Sequence, residues 1–327
     1  MRAAWYERTG PAAAVLEVGE LPDPEPGHGQ IRVRLEVAGI SRADVRLRSG
    51  IGSRAIRFGR VIPGDDGAGV IDKLGPGVPA TRLGQRVWVH SATYATRGGT
   101  AAEYVVVPAN RAIELPDNVP TEVGACLGLP ALTAHRCLFA DGPMDGSVVL
   151  ITGGTGAVSH YAIQMARNAG AIVIATAGTA AKRAVARTAG ADHVFDYRDD
   201  DVIGQILHVS PTGVDRIVDV AFGAYLPISS TVIAPGGTIS GYASNGIAEP
   251  VLPFTTLLRA GATIRTVMVY AMPPQALRHA IDDVTDLISR GILAHPIASR
   301  YALDQVAEAH ARVESGQGIG RVLLACR

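Results

Sequence analysis

The sequence predicts an α/β protein with two domains, one rich in antiparallel β-strands and one built on a doubly wound parallel sheet. Three observations support this fold class. A chain of 327 residues is too long for one compact core. Residues 1–120 contain short strand-like segments separated by Gly, Pro and Asp turns. From Val148 onward, strands alternate with helices, which is typical of parallel sheets with right-handed crossovers.

The N-terminal part owes its predicted β character to alternating and β-branched residues. After it the pattern changes, because TEVGACLGLPALTAHRCLF predicts a helix entered through a threonine cap at Thr121. We therefore place a domain boundary near residue 122. The predicted strands of this part are QIRVRLEVAGI, VIPGDDGAGVIDKLG, RVWVHSA and AAEYVVVP.

The central part, from Val148 to about Tyr270, predicts six strands with helices between them. The strands are VVLIT, AIVIAT, HVFDY, RIVDVA, TVIAPGGTISGYA and ATIRTVMV, and the helices include HYAIQMARNAG and AAKRAVARTAG. The tail then predicts the helices PPQALRHAIDDVTDLISRG and DQVAEAHARVESG and a final strand RVLLA. We see no internal repeat, low-complexity tract or charge run.

The segment VVLITGGTGAVS, from Val148 to Ser159, predicts a binding site for a dinucleotide pyrophosphate. It joins an apolar strand to an amphipathic helix through a glycine-rich turn. The first turn of such a helix offers unpaired backbone N–H groups and a favourable dipole to an anion. Gly153 and Gly156 let the chain turn tightly and let phosphate oxygens approach without a Cβ in the way.

The strand after this turn ends without an acidic residue. Sites that prefer NAD carry a carboxylate about 20 residues beyond the glycines, where it hydrogen-bonds the ribose 2′-hydroxyl. No Asp or Glu occurs between Gly153 and Gly190, and Lys182 and Arg183 follow the strand instead. A lysine attracts a 2′-phosphate that a carboxylate would repel, so we predict NADPH rather than NADH. The alternative is that these two cations only solvate the start of the next helix.

The amino-acid composition indicates what kind of protein this is and which partners it can bind. Hydrophobic residues make up 47% of the chain and charged residues 18%, which indicates an ordered globular protein. The formal net charge is zero and no Lys/Arg cluster occurs, so we expect neither nucleic acid nor a membrane as partner. No apolar stretch is long enough to span a bilayer, and we expect a cytoplasmic location. Cys126 and Cys137 lie in an apolar region and are predicted to be buried structural residues.

With the glycine-rich turn in mid-chain and a β domain before it, the sequence resembles the medium-chain dehydrogenase/reductase superfamily. Within it the chain is similar to the zinc-free quinone oxidoreductase branch that includes zeta-crystallin. The resemblance implies a GroES-like catalytic domain, residues 1–122 and 271–327, around a Rossmann NADP-binding domain, residues 123–270, with the active site in the cleft between them. It rests on AGISRADVRLRSG, IPGDDGAGVI, AAEYVVVP, LGLPALTAHRCL, GGTGAVSHYAIQMA, ATAGTAAKR, GADHVFDYR, APGGTISGYAS, YALDQVAEAH and ESGQGIGRVLL.

The resemblance also implies which residues bind the cofactor. Those that would hold the pyrophosphate are Gly153, Thr155, Gly156, Ala157 and Val158. Those that would surround the 2′-phosphate and adenine are Gly178, Lys182 and Tyr197, although Tyr197 fits an ordinary half-buried aromatic equally well. Those that would meet the nicotinamide ribose and carboxamide are Tyr242, Ala243, Ser244, Val267, Met268 and Val269. The strand leading into the last three has an edge that is also suited to pairing two subunits, and we expect a homodimer.

The chain departs from its relatives at positions that matter for function. Zinc-free relatives usually have Gly where Ser159 stands, and this glycine permits close packing of helix and strand. Many quinone reductases have Asn at Ser41 and an aromatic residue at Arg46. In the family both positions face the substrate cleft, so these departures concern the identity of the substrate.

A catalytic zinc is not expected. Such a site needs three ligands from Cys, His or carboxylate side chains. The corresponding positions are held by Ser41, by Asp65–Asp66 and by Leu129, and leucine cannot coordinate a metal. Residues 85–110 contain no Cys that could form the family's structural zinc lobe. In the Gly-rich turn that contains them, we expect Asp65 and Asp66 to be structural.

Without a metal, the expected chemistry is hydride transfer to an electron-poor acceptor, driven mainly by proximity and orientation. The polar candidates for catalysis are Ser41 and Thr133, and Asp44, Arg46, Arg48 and Leu129 are candidates for the cleft wall. Ser41 and Asp44 fit a helix cap equally well. The leading hypothesis is a quinone reductase using NADPH. The alternatives are an NADPH-dependent reductase of enone or enal C=C bonds, which the same site would serve, and a non-catalytic NADPH-binding sensor or structural protein.

Overall fold

The computed structural model of the chain describes residues 1–51, 59–94, 96–244 and 246–327. These residues form two compact units, Met1–Leu129 with His295–Arg327 and Pro130–Ala294. The sequence places the domain boundaries after residues 122 and 270, whereas the contacts in the structure place them after residues 129 and 294.

The strands and helices of the described residues are numbered in chain order. The strands are β1 Arg2–Trp5, β2 Glu17–Glu20, β3 Gln30–Ile40, β4 Asp66–Leu74, β5 Arg86–Val89, β6 Tyr104–Pro108, β7 Ala112–Glu114, β8 Val148–Ile151, β9 Ile172–Thr176, β10 His193–Phe195, β11 Val214–Asp219, β12 Ile233–Gly241, β13 Thr263–Thr266, β14 Ile297–Ala302 and β15 Arg321–Ala325. The helices are α1 Ala12–Val15, α2 Arg42–Ser49, α3 Thr121–Phe139, α4 Ala157–Asn168, α5 Ala180–Thr188, α6 Val202–Val209, α7 Phe222–Val232, α8 Phe254–Ala260, α9 Pro274–Ser289 and α10 Val306–Ser315. Within these ranges, no helix combines the length and the apolarity needed to cross a membrane.

The first unit is built on one large sheet. Its strand order is β14-β15-β3-β4-β5-β7, and β6 pairs with β3. All pairs are antiparallel except β14 with β15, which agrees with the mostly antiparallel domain predicted for this part of the chain. The long strand β3 shows why the sequence folds this way, because Ile31, Val33 and Leu35 alternate with polar residues and are fully buried.

An ion pair is buried in this unit. Nη2 of Arg321 on β15 lies 2.9 Å from Oδ2 of Asp66 on β4, and both side chains are almost completely buried. The other carboxylate oxygen of Asp66 accepts a hydrogen bond of 2.8 Å from the backbone N–H of Leu129. Burial raises the pKa of Asp66, and the guanidinium of Arg321 opposes this rise. The pair therefore joins the C-terminal strand to the N-terminal part of the unit.

The second unit contains a six-stranded sheet in which every pair is parallel, in the order β10-β9-β8-β11-β12-β13. All six strands predicted from the sequence occur, and the predicted fold class is confirmed. The sheet is covered on both faces, so β8 can be apolar throughout, with Val149, Leu150 and Ile151 fully buried. The last predicted strand is shorter than expected, because β13 ends at Thr266 and a short 3₁₀ turn follows.

Helix α9 accounts for the shifted C-terminal boundary. Its apolar face, formed by Ala280, Val284, Leu287 and Ile288, is buried. His135 of α3 contacts it through Asp283, with 2.7 Å between Nε2 and Oδ2. Just beyond α9, Ala294 exchanges hydrogen bonds with Gln164 of α4. These contacts attach residues 271–294 to the second unit, and sequence periodicity does not reveal them.

We predict that Arg321→Met lowers the free energy of unfolding by about 3–5 kcal/mol, because it leaves the buried Asp66 carboxylate unpaired. The matched control is Arg300→Met, which breaks an exposed pair with Glu122 in the same unit and should cost no more than about 1 kcal/mol. Urea unfolding measures both values. Equal losses in the two variants would contradict the importance assigned to the buried pair.

Candidate cofactor site

The turn between β8 and α4 is open to an anion. Gly153 has a φ of +63°, which favours glycine, and its carbonyl accepts a 2.8 Å hydrogen bond from the N–H of Gly156. Gly156 is the N-cap of α4 and supplies no side chain to the helix N–H groups, and the first helical turn contains no acid. A Cβ added at Gly156 would meet no atom closer than 3.4 Å, so the space over the turn is free. These features fit a pyrophosphate, with Thr155, Ala157 and Val158 supplying further backbone groups.

Ser159, which stands at the position of the third glycine, is fully buried and bonded. Its hydroxyl donates to the carbonyl of Thr152 at 2.7 Å and lies 3.2 Å from the hydroxyl of Tyr242. Thr152 in turn donates its own hydroxyl to Oδ1 of Asp219 at 2.9 Å. The serine therefore joins the first turn of α4 to the end of β8, where a glycine would provide only close packing.

The adenine-side candidates lie beyond the carboxyl ends of β9 and β10. A Cβ at Gly178 would lie 2.8 Å from Cε1 of Tyr197, so the glycine is needed for the tyrosine ring to sit against the backbone. Tyr197 is 45% exposed, which leaves a face for a ligand. Lys182 lies in the first turn of α5, where its N–H bonds to the side chain of the N-cap Thr179. Lys182 therefore places a cation at the N-terminal end of α5.

Two arginines near Lys182 in the chain have an acidic partner, whereas Lys182 does not have one among the described residues. Its neighbour Arg183 donates to Asp196 at 2.8 Å, and Arg198 donates to the same carboxylate at 2.9 Å. Among the described residues, no carboxylate lies within ion-pair distance of the Lys182 ammonium group. The acid that is nearby in the chain is therefore already neutralised, and Lys182 keeps its charge available for an anion.

The nicotinamide-side candidates follow β12 and β13. Tyr242 donates its N–H to the carbonyl of Asp219, and burial raises the pKa of its phenol, which keeps the proton on the oxygen. Ala243 accepts from the N–H of Phe222, and the hydroxyl of Ser244 accepts from the N–H of Gly223 at 2.9 Å. Three contacts therefore tie this segment to the end of β11 and the start of α7.

The residues after β13 continue this edge of the sheet. Val267 donates its N–H to the carbonyl of Gly241 at 2.9 Å. Val267 and Val269 are buried, whereas Met268 is 50% exposed. All cofactor candidates thus lie just beyond the carboxyl ends of parallel strands, where open α/β sheets bind their ligands.

The candidates near α2 form a different kind of structure. Ser41 caps α2, with its hydroxyl 2.6 Å from Oδ2 of Asp44, and the N–H of Ser41 donates to the same oxygen at 2.7 Å. Oδ1 of Asp44 accepts from the N–H of Gly64 at 3.1 Å, and burial raises the pKa of Asp44. The helix-cap interpretation of this pair is therefore realised in the structure, and both side chains are buried.

The other first-unit candidates differ in their surroundings. Arg46 is exposed, whereas Arg48 is fully buried and pairs with Glu314 of α10 at 2.7 Å. Arg48 also donates to the carbonyl of Gly10. The guanidinium group of Arg48 is therefore paired within the first unit. In the second unit, the candidate Thr133 is buried in α3. Cys126 of the first unit and Cys137 of the second are both buried, as predicted.

The donor set at the family's zinc positions does not fit a catalytic zinc. The side chain of Leu129 has no ligand atom, and its backbone N–H bonds to Asp66. Oδ1 of Asp65 accepts from both the hydroxyl and the N–H of Thr93, at 2.6 and 3.2 Å. Ser41 is bonded to Asp44. The polar side chains at these positions are therefore already engaged in contacts within the protein.

Two residues of the site were not found from the sequence. Asp219 receives hydrogen bonds from Thr152 and from the N–H of Ala221, and it is fully buried at the end of β11. Tyr225 of α7 bonds to Thr176 at the end of β9 and packs edge-to-face against Tyr197. Their only sequence signal is a position at or just after a strand end, because the partners are 49 and 67 residues away in the chain.

Comparison with known proteins agrees with the fold described above. A family model described as an alcohol dehydrogenase GroES-like domain matches residues 27–117, and one described as a zinc-binding dehydrogenase matches residues 157–289. The chain is 30% identical to the quinone oxidoreductase of Lama guanicoe, over 99% of this chain and 97% of that protein. It is 29% identical to the human quinone oxidoreductase, over 98% and 95%.

Solved structures are similar over nearly the whole chain. An NAD-dependent alcohol dehydrogenase is 29% identical, covers 99% of each chain and has a TM-score of 0.89. Mycobacterial Rv1454c, complexed with NADPH, is 28% identical, covers 99% of this chain and 100% of its own, and has a TM-score of 0.88. The chain belongs to the medium-chain dehydrogenase/reductase superfamily and, within it, to the quinone oxidoreductase branch. It is an oxidoreductase of that superfamily.

We predict that Ser159→Ala lowers the free energy of unfolding by about 1–2 kcal/mol, because it leaves the buried carbonyl of Thr152 without this donor. Ser315→Ala is the control, since that exposed hydroxyl makes only local contacts, with the carbonyl of Arg312 and the N–H of Gln317, and its loss should cost less than about 0.5 kcal/mol. Denaturant unfolding of both variants gives the comparison. If Ser159→Ala were as stable as the wild type, the bridge between β8 and α4 would be unimportant.

Proposed function

We propose that the chain is a quinone oxidoreductase that uses NADPH and no metal. The relatives at 29–30% identity that are named quinone oxidoreductases support the reaction class. The similar structure that is complexed with NADPH supports the cofactor, whereas another similar structure carries NAD in its name. The choice between the two cofactors therefore depends on this chain's own residues.

The choice of NADPH over NADH rests on Lys182 and its surroundings. The end of β9 offers Thr176, whose hydroxyl is bonded to Tyr225, and no carboxylate to bind a ribose 2′-hydroxyl. The acid of the next strand end, Asp196, is held by two arginines. A 2′-phosphate placed near Lys182 would gain a charge-assisted contact at the N-terminal end of α5, where the helix dipole also favours an anion.

The chain's residues bind and orient the reactants in this proposal. The glycine turn and the first turn of α4 hold the pyrophosphate, while Tyr242–Ser244 and Val267–Val269 lie at the nicotinamide end. When bound, NADPH supplies a hydride. Quinones accept hydride without a Lewis acid, so orientation accounts for most of the acceleration.

A reduced quinone also needs a proton, from solvent or from a hydroxyl. Ser41 is the proposed protein donor and Thr133 the second candidate. Oδ2 of Asp44, 2.6 Å from the hydroxyl of Ser41, could return a proton to it, because burial raises the pKa of this carboxyl group.

The direct test is NADPH oxidation with benzoquinone, phenanthrenequinone and a simple enone as acceptors. The proposal predicts turnover with the quinones and little with the enone. Turnover with the enone alone would assign a C=C reductase instead. Binding of NADPH without turnover of any acceptor would favour a non-catalytic binding protein.

We predict that Lys182→Ala raises the KM for NADPH by about 10–100-fold, because one charge-assisted contact with the 2′-phosphate is lost. The KM for NADH should change by less than about threefold, since NADH has no such phosphate. Lys73→Ala, at the only other lysine of the sequence, is the control and should alter neither constant. A parallel increase for NADPH and NADH would show that Lys182 acts on the fold or on the shared part of the cofactor.

We also propose that the chain forms a homodimer through β13. This strand is the last of the parallel sheet, and its outer edge pairs with no other strand of the described residues. The chain just before it carries exposed apolar side chains, with Val251 94% exposed and Phe254 and Leu258 each 64% exposed. An unpaired edge beside an exposed apolar surface is suited to a second copy of the same edge across a two-fold axis.

We predict that the wild-type protein is a dimer at micromolar concentration. The Phe254→Lys variant should be shifted toward monomer, as measured by sedimentation equilibrium. Phe254 is exposed on α8, so a lysine there should not disturb the folded monomer. Leu83→Lys, at an exposed leucine of the first unit, should leave the dimer intact. A monomeric wild-type protein would refute the proposal.

A further inference from the structure

Two histidines and an aspartate converge outside the cofactor site. His135 lies on α3, and His279 and Asp283 lie four residues apart on α9, all in the second unit. Nε2 of His135 is 2.7 Å from Oδ2 of Asp283, and Nε2 of His279 is 3.3 Å from the same oxygen. One ligand atom of each residue lies within 4.8 Å of the others. Nothing in the cofactor site or in the proposed reaction uses these three side chains.

The distances are close to those that a tetrahedral metal ion requires. Zinc binds histidine nitrogen at about 2.0–2.1 Å and carboxylate oxygen at about 2.0–2.2 Å, so its ligand atoms lie roughly 3.3–3.4 Å apart. Asp283 and His279 are exposed by 44% and 67%, which leaves them free to make the small adjustment. His135 is the fixed ligand, because it is buried and its ring packs against Phe139 with 4.8 Å between centroids.

We propose that His135, His279 and Asp283 form a binding site for Zn²⁺ or a similar divalent transition metal, with water completing the coordination. Two imidazoles and a carboxylate are ligands that zinc accepts, and calcium or magnesium would require more oxygen donors. The site differs from the zinc positions of the superfamily, which correspond here to Ser41, Asp65–Asp66 and Leu129 in the first unit.

A metal at this site would fasten α9 to α3. The two helices are far apart in the chain, since 148 residues separate His135 from Asp283. A ligand that binds only the folded state stabilises it in proportion to the logarithm of its concentration over the dissociation constant. The bound ion would therefore raise the melting temperature without taking part in hydride transfer.

Calorimetric titration of untagged, chelator-treated protein with Zn²⁺ tests the proposal. We expect one equivalent to bind, a rise in melting temperature, and with Co²⁺ the visible absorption of a tetrahedral site. His279→Gln and Asp283→Asn should each weaken Zn²⁺ binding by at least about tenfold. Both residues are exposed or half-exposed, so the variants should fold normally.

Two matched controls separate this site from other histidines and acids. Asp282→Asn changes the neighbouring, exposed acid of the same helix, and His193→Gln changes an exposed histidine of the same unit. Neither should alter the affinity for Zn²⁺. The proposal is overturned if no equivalent of Zn²⁺ binds, or if either His279→Gln or Asp283→Asn retains the wild-type affinity.

Discussion

The cofactor site depends on the hydrogen bonds that fix the turn after β8. Thr152 lies at the centre, because its carbonyl accepts from Ser159 while its hydroxyl donates to Asp219 and accepts from the N–H of Val220. These bonds connect one strand end to the next strand and to the helix that follows. The first turn of α4 is therefore held in place before any ligand arrives, and the groups that meet the pyrophosphate need not be ordered by it.

The two units use charge in different ways. In the first unit, buried carboxylates are satisfied by neighbours, as Asp66 is by Arg321 and Asp44 is by Ser41. A buried charge without such partners would be costly, so these contacts stabilise the fold. Beyond the strand ends of the second unit, Lys182 is left unpaired among the described residues. An unpaired cation beside open backbone N–H groups favours an anionic ligand there.

Local sequence patterns predicted most of the strands and helices. They did not predict the contacts between residues that are far apart in the chain. Alternation in β3 and the apolar run of β8 are properties of single segments, so their strands could be read from the sequence. The glycine turn was found for the same reason. Asp219 and Tyr225 gain their roles from partners in other strands, and α9 joins the second unit through contacts with distant helices. No periodicity within a segment reports such pairings.

Binding of two adenosine fragments tests whether this site selects NADPH through Lys182. Adenosine 2′,5′-bisphosphate carries the phosphate that Lys182 is proposed to meet, and adenosine 5′-monophosphate lacks it. We predict that the bisphosphate binds at least about tenfold more tightly, a difference of about 1.4 kcal/mol. Equal affinities, or tighter binding of the monophosphate, would contradict the assignment of NADPH to this site.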